Sequence, residues 1–242
     1  MLLPPSCSGM LVMKFAVTQT GLTKPGHHKK KLPMNNSLRL HRLILAMTAY
    51  DHGDPMRIQH FMKVLGYAST IGRLEGLDPE TQDILESAAV LHDIGIHISE
   101  QKYGSSNGKY QEQEGPAEAR RLLASLTEAA APEASLTEEA PAPAATAGRL
   151  STPTPLYTPA EVDRICFLIA HHHTYNAIDA PDYQILVEAD FLVNLYEDHS
   201  STASAGTVDP KAAEAAQHVY NKIFRTATGR ALLRSMFLTP RT

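Results

Sequence analysis

The chain has 242 residues, 43% of them hydrophobic and 20% charged, enough for one sizeable core with appendages. Lysine plus arginine number 22 against 26 for aspartate plus glutamate, a net charge of -4 that offers no general attraction to a nucleic-acid polymer or an anionic membrane. Two cysteines form no disulfide framework, no apolar run approaches the roughly 18 residues of a membrane span, and the amino terminus lacks the charged-then-apolar order of a secretion signal, so a cytoplasmic protein is expected. The twelve histidines are the compositional anomaly.

Residues 1–36 hold Pro, Gly and Lys without period and are expected to be a disordered tail, with Met10, Met13 and Met34 as alternative starts. From Ser37 the apolar stripe Leu38, Leu40, Leu43, Ile44 and Met47 predicts a helix closed by Gly53. Asp54-Pro55 opens a second helix whose core face is Ile58, Phe61, Val64, Leu65, Ala68, Ile71 and Leu74, with His60 at its margin. Asp78 caps a third, with Pro79 at its first position, which runs into Ala88-Ala89-Val90-Leu91-His92-Asp93-Ile94-Gly95.

That stretch is small and apolar until it ends in an imidazole and a carboxylate. An unpartnered buried carboxylate costs several kcal/mol, and the nearest basic residues are Arg73 and Lys102. Two readings stand at this point: a cation held jointly by His92 and Asp93, or a hydrogen-bonded core histidine beside a capping aspartate.

Residues 101–110 are read as a loop rich in glycine, hydroxyls and amides, with Lys102 and Lys109 near its ends. Such a loop either closes over a phosphate or is ordinary surface. A helix from about Gln111 to Ser125 follows. Residues 127–157 are an Ala-, Pro-, Glu-, Ser- and Thr-rich insertion that repeats Ser-Leu-Thr-Glu. Thr158-Pro159-Ala160-Glu161 is a capping box, and its helix runs into His171-His172-His173. The next apolar helix, 182–198, carries Asp190 on the face of Leu186 and Val193 with no Lys or Arg to neutralise it, a second buried-carboxylate problem. Asp209-Pro210 begins a packing helix, and Gly229 is expected to separate a last one ending near Leu238.

Each polar residue alone has a structural explanation as a satisfied core group. Together, His60, a His-Asp pair 32 residues later and an Asp in a late apolar helix resemble the signature of the HD superfamily of metal-dependent phosphohydrolases, carried by Leu-His-Asp-Ile-Gly at 91–95 and Val-Glu-Ala-Asp-Phe-Leu-Val-Asn at 187–194. The resemblance covers about residues 38–126 and 158–198. It implies an all-α, HD-domain-like multi-helix bundle over 37–238 around a buried metal site, with His60, His92, Asp93 and Asp190 holding the first divalent ion.

Binuclear members of that superfamily add a histidine before a glycine in the middle helix, where this chain has Glu114-Gly115, and one or two at the end of the next, where His172 and His173 are the expected ligands. One or two ions of Mn, Fe, Co, Ni, Zn or Mg suit this donor set. The activity implied is hydrolysis of a small phosphomonoester or nucleotide, with His92 and Asp93 at the reacting centre and Lys63, Lys102 and Lys109 as phosphate contacts. The alarmone-hydrolase and HD-GYP subgroups are disfavoured, because Ile94-Gly95-Ile96-His97 and His171-His172-His173-Thr174-Tyr175-Asn176 stand where their motifs would be. A non-catalytic metal- or nucleotide-binding regulatory module and a di-iron oxygenase of similar fold remain alternatives.

Overall fold

In the computed structural model, residues 36–128, 154–199 and 208–239 are described, and they form nine α-helices and no β-strand. The expected tail and most of the 127–157 insertion lie outside them. In order the helices are α1 (Asn36–Tyr50), α2 (Pro55–Leu74), α3 (Pro79–Leu91), α4 (Ile96–Tyr103), α5 (Gly108–Ser125), α6 (Pro159–Ile169), α7 (Pro181–His199), α8 (Pro210–Lys222) and α9 (Ala227–Leu233), the last continuing into a π-helical turn, Arg234–Leu238. Among the described residues no helix is long and apolar enough to cross a membrane.

Local chemistry sets most boundaries. The Asp54 side chain accepts from the Arg57 amide, Asp78 accepts from the amides of Glu80 and Thr81, and both halves of the Thr158/Glu161 capping box are made. α3 is the central element. Its run Leu85–Leu91 is buried throughout and touches α1, α2, α6 and α7, because Ser87, Ala88 and Ala89 let those helices approach closely. Glu86, the one charged residue in that run, is neutralised by Arg73 at 2.8 Å and bonded by Ser69 and Gln82. α7 is buried almost as fully and packs on α2 and α3.

Three expectations need correction. Residues 96–103 form α4 and Gly108 already lies in α5, so the 101–110 loop shrinks to Gly104–Asn107, with Gly104 in the left-handed conformation (φ 65°) and Asn107 capping α5. The insertion is ordered at both ends. Thr127 and Pro155 form an isolated antiparallel bridge, and Tyr157 is a core residue only 4% exposed, under the Arg39 guanidinium. Gly229 lies inside α9 instead of separating it: a Cβ there would collide with the carboxylate of Glu188. Glu188 is fully buried on α7 and accepts from the amides of Arg225 and Thr226 and from the Thr226 hydroxyl, so the chain turns into α9 against that carboxylate.

Candidate metal centre

Four helix segments meet at the C-terminal end of α3. α2 contributes His60, the turn after α3 contributes His92 and Asp93, α7 contributes Asp190, and the turn after α6 contributes His172 and His173. Because α3 stops at Leu91 and α6 at Ile169, residues 92–95 and 170–173 are in turns. Consecutive side chains in a turn are released from the 100° divergence of a helix, and the rings of His172 and His173 approach to 4.0 Å.

His60 Nε2 lies 3.2 Å from His92 Nε2, 3.5 Å from Asp93 Oδ2 and 3.3 Å from Asp190 Oδ1, and His92 Nε2 lies 3.4 and 3.5 Å from the same two oxygens. Ligands bound at about 2.1 Å sit about 3.4 Å apart on a tetrahedron and about 3.0 Å apart on an octahedron, so these five separations in the quartet match the edges of a coordination shell, with His60, His92 and Asp93 mutually within 4.8 Å and Asp190 reaching the two imidazoles.

The outer nitrogens fix the tautomers. His92 Nδ1 lies 2.9 Å from the Ala89 carbonyl and His60 Nδ1 lies 2.9 Å from Glu197 Oε2, and both partners only accept, so Nδ1 carries the proton in each ring. The inward-facing atoms of the neutral rings are then lone pairs, and four acceptors converge. Such a cluster demands a cation or protons.

Without a cation, protons meet that demand. Burial by itself lowers the pKa of both imidazoles, but for His92 the charge of Asp93 and the bond to Asp190 reverse this, and for His60 the bond to Asp190 does so; both end raised, His92 well above the usual value. Burial likewise opposes ionisation of Asp93 and Asp190. It is outweighed by the charge of His92 for Asp93 and by the bonds from His60 and His92 for Asp190, so both carboxyls are held well below the usual range.

Asp93 reaches two ways. Its Oδ2 belongs to the quartet, and its Oδ1 lies 3.5 Å from His172 Nε2. His172 is fully buried, its Nδ1 is tied to the Ile169 carbonyl at 2.8 Å, and its Nε2 has no hydrogen-bond partner. Asp93, His172 and His173 present ligand atoms within 4.8 Å of one another. His173 has its pKa pushed down to about 4, chiefly by burial and next by His172, which leaves it neutral with a lone pair to offer. An orphaned ring nitrogen, a neutral imidazole and a carboxylate oxygen fit a second divalent cation.

Other groups hold these ligands in place. Asn194 donates to Asp190 Oδ1 at 2.9 Å, Glu112 accepts from the His173 amide at 2.9 Å, and the buried Tyr183 hydroxyl is shared between the carbonyls of His171 and Thr174. Gly108 is required beneath His173, because a Cβ there would come within 2.5 Å of that ring.

Of the sequence-derived set, His60, His92, Asp93, Asp190, His172 and His173 are brought together. Glu114 is not. Its carboxylate pairs with Lys102 at 2.5 Å and accepts from Tyr103 at 2.7 Å, on the α5 face turned to α4. Lys102 is therefore engaged outside the site, and Lys109 is exposed and does not line the adjoining cavity. Lys63 stands beside the site but is bound to Glu197 at 2.6 Å. His171 packs on Phe167 and bonds its carbonyl.

The cavity over the quartet measures about 280 Å³ and is walled by Met47, Met56, Phe61 and Ile96 on its apolar side. Its polar wall includes Asp51, Arg57, Gln111, Asn194 and Glu197, none of them singled out by the sequence. Only the spacing of Arg57 from His60, one helical turn, was a usable signal for any of these.

No protein-family model, no curated protein and no solved structure matches this chain.

Proposed function

We propose that this chain is a metal-dependent phosphohydrolase of the HD type, with that superfamily's helical fold, acting on a small phosphomonoester or nucleotide. The observation that carries the reading is the division of Asp93 between two buried ligand groups, one completed by His60, His92 and Asp190 and the other by His172 and His173. One or two divalent ions (Mn, Fe, Co, Ni, Zn or Mg) would supply a water of lowered pKa and neutralise charge developing on phosphoryl oxygens.

The chain's own residues set the stage for that chemistry. The two oxygens of Asp93 hold the two groups at a fixed separation. Glu197 and the Ala89 carbonyl accept hydrogen bonds from the Nδ1–H groups of His60 and His92, which keeps both Nε2 lone pairs facing inward. Met47, Phe61 and Ile96 shield one side of the cavity from water, and its size, near the lower end for ligand sites, favours a compact substrate.

The test begins with elemental analysis of chelator-free, untagged protein beside an Asp93→Ala variant, followed by a phosphate-ester screen with the metal found. Metal present in the wild type and lost from the variant, with phosphate release, supports the reading. A wild type that takes up none of these ions refutes it. Metal without turnover favours a regulatory module, and iron with oxygen consumption but no phosphate release favours a di-iron oxygenase.

A further inference from the structure

Arg57 is the only lysine or arginine among the described residues that line the cavity, where it faces the carboxylates of Asp51, Asp93, Asp190 and Glu197. It stands one turn before His60 on α2. Its guanidinium is fixed from three directions. Nε lies 3.3 Å from Asp54 Oδ2, one terminal nitrogen donates to Glu100 Oε1 at 2.7 Å, and the other lies 2.9 Å from His97 Nδ1.

A guanidinium only donates, so His97 Nδ1 is the acceptor and His97 Nε2–H donates to Asp51 Oδ1 at 2.9 Å. Asp51 is 2% exposed, a buried anchor at the far end of this relay. The hydrogen bonds to His97 and Glu100 engage one N–H on each terminal nitrogen of Arg57 and leave the other on each. A guanidinium held in place at a cavity wall, with donors to spare, is prepaid for binding an oxyanion.

Resting on the metal-centre reading above, we infer that Arg57 is the residue that recognises the phosphoryl oxygens of the ligand, and that Asp51 and His97 act through it as positioning residues. Two divalent ions balance the four cavity carboxylates, so Arg57 leaves the loaded cavity with a net positive charge that accepts an anion. The apolar wall of Met47, Met56, Phe61 and Ile96 then meets a short carbon skeleton, which makes the ligand class a small phosphorylated organic molecule.

The experiment uses the full chain, stripped with chelator, reloaded with Mn2+ and titrated calorimetrically with inorganic phosphate. Arg57→Gln is expected to bind Mn2+ within about twofold of wild type and phosphate at least about tenfold more weakly. Arg57→Lys is expected to recover part of the loss. His97→Gln keeps an acceptor for Arg57 and a donor for Asp51, and is expected to bind phosphate more tightly than His97→Ala, a difference that a merely structural role would not produce. Unchanged phosphate affinity in Arg57→Gln, or no phosphate binding by the Mn2+-loaded wild type, overturns the Arg57 assignment and leaves the metal centre standing. A wild type that binds no Mn2+ overturns the metal reading itself.

Discussion

Gly95, two residues after Asp93, meets α5 with no room for a side chain. An alanine there would place its methyl 2.6 Å from the Gln111 carbonyl oxygen and 2.8 Å from the Gly115 amide nitrogen. Ordinary contact begins at 3.4 Å, so α5 must retreat by the difference, about 0.8 Å, and both obstructing atoms are backbone that no rotamer change can move. Overpacking of this kind costs about 1–3 kcal/mol. At about 2–4 °C per kcal/mol for a chain of this size, the midpoint of that range lowers Tm by about 4–8 °C.

α5 also carries Gln111 and Glu112, whose side chains contact His173. Gly95→Ala is therefore expected to weaken the His172/His173 group more than the quartet, whose other ligands come from α2, the end of α3 and α7. Gly66→Ala is the control. Its Cβ would enter open space on α2, so the same exchange should stabilise by about 0.5–1 kcal/mol. Thermal unfolding followed by circular dichroism, with metal content per chain, measures both. A Gly95→Ala protein that melts at or above the wild-type Tm with full metal content would refute the close approach of the 92–95 turn to α5.

Three further outcomes are expected. Asp93→Asn removes the charge shared by both groups and should lose both ions, whereas His172→Ala should lose only one; equal losses in elemental analysis would separate Asp93 from its bridging role. Glu114→Ala should leave metal content unchanged, since Glu114 is engaged by Lys102 and Tyr103, and a drop to one ion would return it to the ligand set. In chelator the raised pKa values of His60 and His92 mean that the fold binds these protons more tightly than the unfolded chain does. Their contribution is complete below about pH 6.5 and is lost as pH rises through the raised values. The Tm of metal-free protein should therefore fall on going alkaline from neutrality while that of Mn2+-loaded protein holds, and a pH-independent Tm in chelator would contradict the proton-filled quartet.

The chemistry that is local in sequence was legible there. Asp54, Asp78 and the Thr158/Glu161 box mark helix starts by side chains that bond amides two or three residues away, and the structure makes each of those bonds. His92, Asp93 and Asp190 announced themselves as polar groups on helices otherwise too apolar to tolerate them, a conflict that exists before any fold is known.

What tertiary structure alone decided is which way a residue faces when its own helix is polar. Glu114-Gly115 stands where the resembling superfamily carries a histidine before a glycine, and α5 is too hydrophilic for its pattern to show which way Glu114 faces; only the packing of α4 against α5 turns it to Lys102 and brings Gln111 and Glu112 to His173 instead. Arg57, His97 and Asp51 belong together for the same reason. Their partners lie 40 and 46 residues apart, on α2, α4 and the end of α1, and hydrogen bonds across such separations depend on how helices dock, which the pattern of a single segment does not encode.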